Sequence, residues 1–301
     1  MRERIRELLA QRGPLTGTEL SEALGGETFS LWKACMLSPA LQLRTVGRRY
    51  VRLDRRVEGF ARLSPSILRE FLTYTVVGLA NDPTAIERHA RVLQSHIERV
   101  SREKLQLTQR IVTDVVEPFS TPGTDETRFC IVVAGDIVYD MAHDVSRPER
   151  STGGMVRGSD LDIVVIVADD APEDLVVQLD ETIYRKKYQY LKHPAFQEEI
   201  DYIVKRFSKL AEQAAFDTFE RMVACKIFDE AVLLSGSRRL FDDGQALLRD
   251  RGITDRLRTM ERLAIEARDE QEHYLLATDD EVLRREDLVL FYTDEECEEF
   301  E

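Results

Sequence analysis

The chain has 301 residues, of which 43% are hydrophobic and 33% charged, with a formal net charge of −14. That supplies apolar material for two or three domains, while no apolar run approaches the ~20 residues that span a bilayer. The N-terminus Met1-Arg2-Glu3-Arg4 lacks the apolar core of a signal peptide, and Cys35, Cys130, Cys225 and Cys297 show no CxxC spacing, which predicts a cytoplasmic protein without a disulfide framework or zinc site.

Charge is unevenly placed: residues 1–60 carry 11 Lys+Arg against 7 Asp+Glu, leaving 31 against 49 for the rest. An acidic body repels bulk nucleic acid, so any such contact is confined to the basic N-terminal segment or a local groove. Arg2 to Gln11 has helical spacing and stops at Gly13-Pro14. Thr16-Gly17-Thr18-Glu19 opens a second helix, and Thr28 to Leu37 reads as a third, with Phe29, Leu31, Trp32 and Met36 apolar. Leu41 to Leu53 alternates around Gly47, which predicts a β-hairpin. Three short helices and a hairpin resemble a winged helix-turn-helix domain over 1–55. The resemblance implies nucleic-acid contact through Lys33 on the third helix and Arg44, Arg48, Arg49 and Arg52 on the wing. A small interaction or dimerisation module is the alternative.

A helical linker is predicted over 56–120. Ser64 to Ala80 reads as helix, and Asp82-Pro83 starts a second helix running to Phe119. Ile86, Ala90, Leu93, Ile97 and Val100 form a coiled-coil-like seam. Lys104 interrupts it before Leu107 and Ile111, and Val92, Leu105, Val112 and Val115 widen the stripe. Such a face packs on the body of the protein or joins two copies in a homo-oligomer. Ser120-Thr121-Pro122-Gly123-Thr124 then breaks the pattern and marks a domain boundary.

In 121–207, Phe129 to Val133 is a buried-strand signal ending in Ala134-Gly135-Asp136. A charged insert with Asp140, Asp144, Arg147, Glu149 and Arg150 leads to Arg157-Gly158-Ser159-Asp160-Leu161-Asp162, which runs into Ile163-Val164-Val165-Ile166-Val167. Asp160 and Asp162 lie two apart at the mouth of a strand and project from one face. Like charges held that close persist where a cation neutralises them, and oxygen ligands of this kind suit Mg²⁺. Pro172 to Leu191 reads as a helix and Glu199 to Val204 as a strand, where Asp201, among apolar neighbours, wants a cation. The Gly153-Gly154 pair is no P-loop, and the five histidines show no ligand spacing.

This region resembles the nucleotidyltransferase superfamily of DNA polymerase β-like enzymes over about 120–250. Ser159-Asp160-Leu161-Asp162-Ile163-Val164-Val165 matches its Asp-x-Asp strand, Asp201 the third acid and Gly135 the turn glycine. The resemblance implies catalysis and metal binding by Asp160, Asp162 and Asp201, with Mg²⁺ (or Mn²⁺) holding an NTP or dNTP. Asp201 would serve the acceptor hydroxyl, and pyrophosphate would leave. Gly135, Asp136, Arg157, Ser159 and Arg150 would lie near the phosphates. Asp136 departs from the family, which usually places serine there, and a carboxylate in that position repels phosphate unless it faces away or binds metal. Asp160 also follows Gly135 by 25 positions, which exceeds the usual spacing.

Phe207 to Ser235, Leu240 to Arg249 and Asp255 to Ala277 read as helices, a C-terminal lobe over 208–278 in which Tyr274 and Tyr292 are candidate stacking or acceptor groups. The acidic tail 279–301 carries 11 acids against 2 arginines and reads as disordered from Asp294, with a capacity to screen the basic wing. The fold expected is thus α+β: winged helix, helical linker, polymerase β-like core with a mixed sheet and flanking helices, and helical lobe. The function expected is nucleotidyl transfer to a nucleotide, oligonucleotide, RNA end or protein hydroxyl, and family analogy leans toward bacterial stress, toxin or antiphage defence. The rival expectation is a winged-helix DNA-binding regulator whose silent nucleotidyltransferase-like domain senses nucleotides.

Overall fold

Helix takes 59% and strand 18% of the protein, in mixed sheets, which makes the class α+β. The computed structural model describes residues 1–119, 128–149, 153–279, 282–283 and 287–293. The expected break at 120–124, Arg150 and the tail 294–301 lie outside the described residues. Two units form: one from Met1–Arg52, Ala61–Glu98 and the described part of Glu261–Glu301, the other from Leu53–Phe60 and Arg99–Met260.

The first unit opens with α1 (Arg2–Arg12), β1 (Leu15–Thr16), α2 (Gly17–Leu24) and α3 (Thr28–Met36). Thr16 and Glu19 close a capping box on α2, as a Thr-x-x-Glu spacing does when it precedes an apolar face. Phe29 and Trp32 of α3 each meet Phe291 at a ring separation of 5.2 Å, beside a core of Ile5, Leu20, Phe71 and Val77. β2 (Leu41–Thr45) and β3 (Tyr50–Leu53) follow, then β4 (Ala61–Ser64), α4 (Ile67–Tyr74) and β5 (Thr75–Leu79).

The hairpin expected over Leu41 to Leu53 does not form. β2 pairs antiparallel with β5, while β3 pairs with β4. The helix expected over Ser64 to Ala80 likewise shortens to Ile67–Tyr74, and its C-terminal end becomes strand. One cause serves both corrections: Thr75-Val76-Val77 is a β-branched run with both valines fully buried, and it takes the centre of the sheet β1–β5–β2.

α5 (Pro83–Val116) is capped by Asp82, whose Oδ1 accepts the Ala85 N–H at 3.0 Å. Ile86, Ala90, Ile97, Val100, Leu107, Ile111, Val112 and Val115 are buried by the chain itself. These seam positions are therefore interior, and Leu93 is half-buried. Val92 and Leu105, expected to widen it, are 66% and 37% exposed. Lys104 interrupts the seam because its Nζ pairs with Glu198 at 2.5 Å and donates to the Arg157 carbonyl at 2.7 Å.

The second unit continues with β6 (Phe129–Ala134), a ribbon of β7 (Ser146–Pro148) and β8 (Met155–Arg157), β9 (Leu161–Val167), α6 (Glu173–Lys192) and β10 (Ile200–Arg206). It ends with α7 (Phe207–Gln213), α8 (Phe219–Glu230), β11 (Val232–Gly236), α9 (Arg238–Asp250) and the start of α10 (Ile253–Ala277). The helix expected over Phe207 to Ser235 is thus broken. Val232 to Gly236 is a strand that completes the far edge of β6.

The sheet order is β10–β9–β6–β11, with β10 parallel to β9 and the other pairs antiparallel. Ile131, Val133, Ile163 and Val165 face a core shared with Ile111 and Val115 of α5 and Leu179 of α6. Cys130, Val132, Val164 and Ile166 face another shared with Leu210, Phe228 and Leu248. Burial on both faces explains why β6 and β9 are continuous apolar runs. Burial also pushes the Cys35 and Cys130 thiols up to about 12 and Cys225 to about 11, so these cysteines are unreactive packing groups. Among the described residues no helix is long and apolar enough to cross a membrane.

Lys205, near the end of β10, is 8% exposed and donates to Gln213 Oε1 at 2.8 Å. Burial lowers its amine to about 8, whereas an unfolded lysine titrates near ~10.4. Between those values the unfolded chain binds the extra proton, so stability rises with pH across that window and falls as pH drops through 8. Lys205→Met should be more stable than wild type at neutral pH, with the gain shrinking as pH rises toward 10. Urea unfolding of both proteins at stepped pH checks this, and a pH-independent difference would contradict it.

Candidate functional site

Parallel pairing of β9 with β10 sets their N-terminal ends side by side, and antiparallel pairing brings the C-terminal end of β6 to the same corner. Asp162 is in register with Asp201 on one side and with Ala134, the residue before Gly135, on the other. Asp160 just precedes β9 and Glu199 just precedes β10. Asp160, Glu199 and Asp201 each bring a carboxylate oxygen within 4.8 Å of the other two.

The expected trio was Asp160, Asp162 and Asp201. Two of these converge with Glu199, while the Asp162 carboxylate lies against Gly135. A Cβ added to Gly135 would sit 2.0 Å from Asp162 Oδ2, and the glycine has φ +75°. Glu199 carries a sequence signal: Glu199 and Asp201 repeat, one strand over, the two-residue spacing of Asp160 and Asp162.

The cation shared by Asp160 and Glu199 is Arg147, from β7 in the charged insert. Its guanidinium is ion-paired with Asp160 and, at 2.9 Å, with Glu199 Oε2, and its Nε donates to the Gly158 carbonyl at 3.0 Å. Asp160 Oδ1 and Glu199 Oε2 are buried, and one guanidinium nitrogen of Arg147 serves both, which balances their charge. Burial pushes the Glu199 carboxyl up; Arg147 opposes the rise, and Asp201 and Glu149 add to it. The insert alone gave no sign that Arg147, among its several charges, would reach the centre.

Asp201 does not meet the buried setting its apolar neighbours suggested. Its side chain is 55% exposed on the edge strand β10, where it accepts from Lys187 Nζ of α6 at 3.1 Å. Its partner is a lysine, and burial does not constrain it.

The glycine turn opens a short 3₁₀ segment, Gly135–Tyr139. The Gly135 N–H, expected to face phosphate, donates to Glu230 Oε1 at 3.1 Å. Glu230 also accepts from the Tyr139 hydroxyl at 2.5 Å and is ion-paired with Lys226 one turn earlier on α8. An internal carboxylate thus occupies the amide. Asp136 is directed elsewhere: the Ser159 hydroxyl donates to its Oδ2 at 2.8 Å and accepts the His143 N–H at 3.2 Å. Ser159 is 6% exposed, so this pair clasps the turn to the entrance of β9. Arg157 is exposed on β8, with its carbonyl held by Lys104.

The basic residues expected to meet nucleic acid in 1–55 are engaged by the chain itself. Lys33 Nζ donates to the Thr278 carbonyl, and Arg44 pairs with Glu87 at 3.0 Å. Arg49 forks onto both oxygens of Glu70 at 2.6 Å and reaches Glu272 at 2.9 Å. Arg48 and Arg52 also have partners. Tyr274 is 41% exposed, whereas Tyr292 packs on the core of its unit. No protein-family model matches the chain, and no curated protein shows significant sequence similarity to it.

Proposed function

We propose that the chain is a divalent-cation-dependent nucleotidyltransferase with a polymerase β-like core. It moves a nucleoside monophosphate from an NTP or dNTP to an acceptor hydroxyl and releases pyrophosphate. The observation that carries this reading is the register of Asp162 with Asp201 on parallel strands, beside Asp160 and Glu199, under a glycine turn that leaves room only for the Asp162 carboxylate. The helices α1–α3 with the sheet β1–β5–β2 support a winged-helix reading of the N-terminal segment, with β5 in place of the expected hairpin strand.

The donor set is all carboxylate oxygen, which suits a hard cation such as Mg²⁺ or Mn²⁺. Asp160 Oδ1 and Glu199 Oε2, buried and held together by the Arg147 guanidinium, are oxygens that such an ion would bind in its place. Asp160, Asp162 and Asp201 would hold it, with Glu199 as a further donor. A cation held there would supply polarisation of the phosphoryl oxygens and offset charge on the leaving pyrophosphate. Asp201, exposed and steadied by Lys187, accepts the proton of the acceptor hydroxyl. Arg147 offers a planar fork of donors to a phosphate oxygen arriving at Asp160 and Glu199.

Glu230 favours a second reading, a nucleotide-sensing regulator without catalysis, because its carboxylate fills the Gly135 amide. Incubation with each α-labelled NTP and dNTP plus Mg²⁺ or Mn²⁺ separates the two. Label transfer by the wild type, reduced by about 10²-fold or more in Asp160→Ala and Asp162→Ala, is the expected result. Transfer that survives both substitutions would sink the site assignment. Absence of transfer with every nucleotide, together with duplex binding lost in Arg48→Ala/Arg49→Ala, would favour the regulator.

A further inference from the structure

We infer that the exposed face of α6 carrying Tyr184, Arg185, Tyr188 and Gln189 binds a single-stranded nucleic acid, whose hydroxyl end is the acceptor of the proposed transfer. The acceptor clause rests on the nucleotidyltransferase reading; the binding clause does not.

Three features of the helix point this way. Leu175, Leu179 and Ile183 bury its apolar stripe, so packing does not require Tyr184 and Tyr188, which are 58% and 49% exposed. Four residues apart, they stand one above the other on the same face. Residues 184–192 also hold Arg185, Lys186, Lys187 and Lys192 without one acid, in a chain of net charge −14. Lys186 and Lys187 are paired with Asp114 and Asp201, whereas among the described residues Arg185 and Lys192 meet no carboxylate. Lys192 Nζ lies 4.2 Å from the Tyr188 ring centroid, so cation and ring form one surface.

Adjacent exposed rings beside uncompensated cations match what an unpaired strand presents, which is open base faces and a phosphate backbone. A duplex hides its base faces, and a helix macrodipole accounts for terminal lysines but not for paired tyrosines. This face also adjoins the centre: Lys187, in the same turn as both rings, donates to Asp201.

Fluorescence anisotropy of the full chain with labelled 12-residue RNA, DNA and duplex probes, without triphosphate or divalent metal, tests the binding clause. Single strands should bind more tightly than duplex, and Tyr184→Ala or Tyr188→Ala should each weaken binding about tenfold. Tyr184→Phe/Tyr188→Phe should bind as wild type does, because stacking survives, and Arg185→Ala should flatten the salt dependence. Far-UV circular dichroism confirms that these surface variants fold. Equal affinity for duplex, or single-strand binding undiminished in Tyr184→Ala/Tyr188→Ala, overturns the inference. Strand binding as expected without label transfer to the strand overturns only the acceptor clause and points back to the catalytic reading.

Discussion

Lys104→Met should lower the melting temperature of the unit containing Arg99–Met260 by about 10 °C, and Lys104→Met/Glu198→Leu should recover most of the loss. The two side chains are 5% and 10% exposed and meet at 2.5 Å. Burial pushes the Glu198 carboxyl up and the Lys104 amine down, and each is opposed by the partner's charge. Removing the lysine leaves a buried carboxylate without its bonded counter-ion, with only the charges of Arg157 and Arg147 near it, a change that costs about 3–5 kcal/mol. Removing both charges leaves only packing and the bond to the Arg157 carbonyl to account for, so recovery should be large but incomplete. The pair ties α5 to the residues just before the acidic ends of β9 and β10, so its loss should loosen the carboxylate cluster as well. Calorimetry of wild type, single and double variants measures the cycle. A single variant melting within about 2 °C of wild type would show that water reaches Glu198 and that the pair does not hold the unit together.

The parts of this protein that declare themselves in sequence are those governed by short-range rules. Asp82-Pro83, the Thr16/Glu19 capping box and the β-branched run after Asp162 each specify an element by local chemistry, and each forms. Strand partners are set at longer range. Thr75 to Leu79 follows a helix directly and looks like its continuation until β1 and β2 are placed on either side of it. Val232 to Gly236 becomes a strand because β6 has an edge to fill. The site divides in the same way. Asp160, Asp162 and Gly135 are legible because spacing along one strand and one turn places them. Arg147 and Glu230 are not, since each reaches the centre from an element whose position depends on the whole unit. Asp136 reads from sequence as a charge facing phosphate, and its partner Ser159, 23 residues away, shows where it is spent.

Gly135→Ala should leave the fold in place and reduce the proposed nucleotidyl transfer by about 10²-fold. At φ +75° an alanine carries the backbone strain of the left-handed region, about 1–2 kcal/mol. That strain alone does not stop the chain folding. The new methyl would meet Asp162 Oδ2 at 2.0 Å, which is far inside contact distance, and the carboxylate is the more easily moved of the two. Asp162 would therefore swing away from the position its register with Asp201 gives it, and a displacement near 1 Å at a reacting centre is enough for a loss of that size. Gly153→Ala is the matched control: it has φ +66° and nothing within 4 Å of the added Cβ. Both variants should lose similar, small amounts of thermal stability, while only Gly135→Ala loses transfer. If the two retain equal transfer rates, the carboxylate that Gly135 accommodates takes no part in the chemistry, and the centre reduces to Asp160, Glu199 and Asp201.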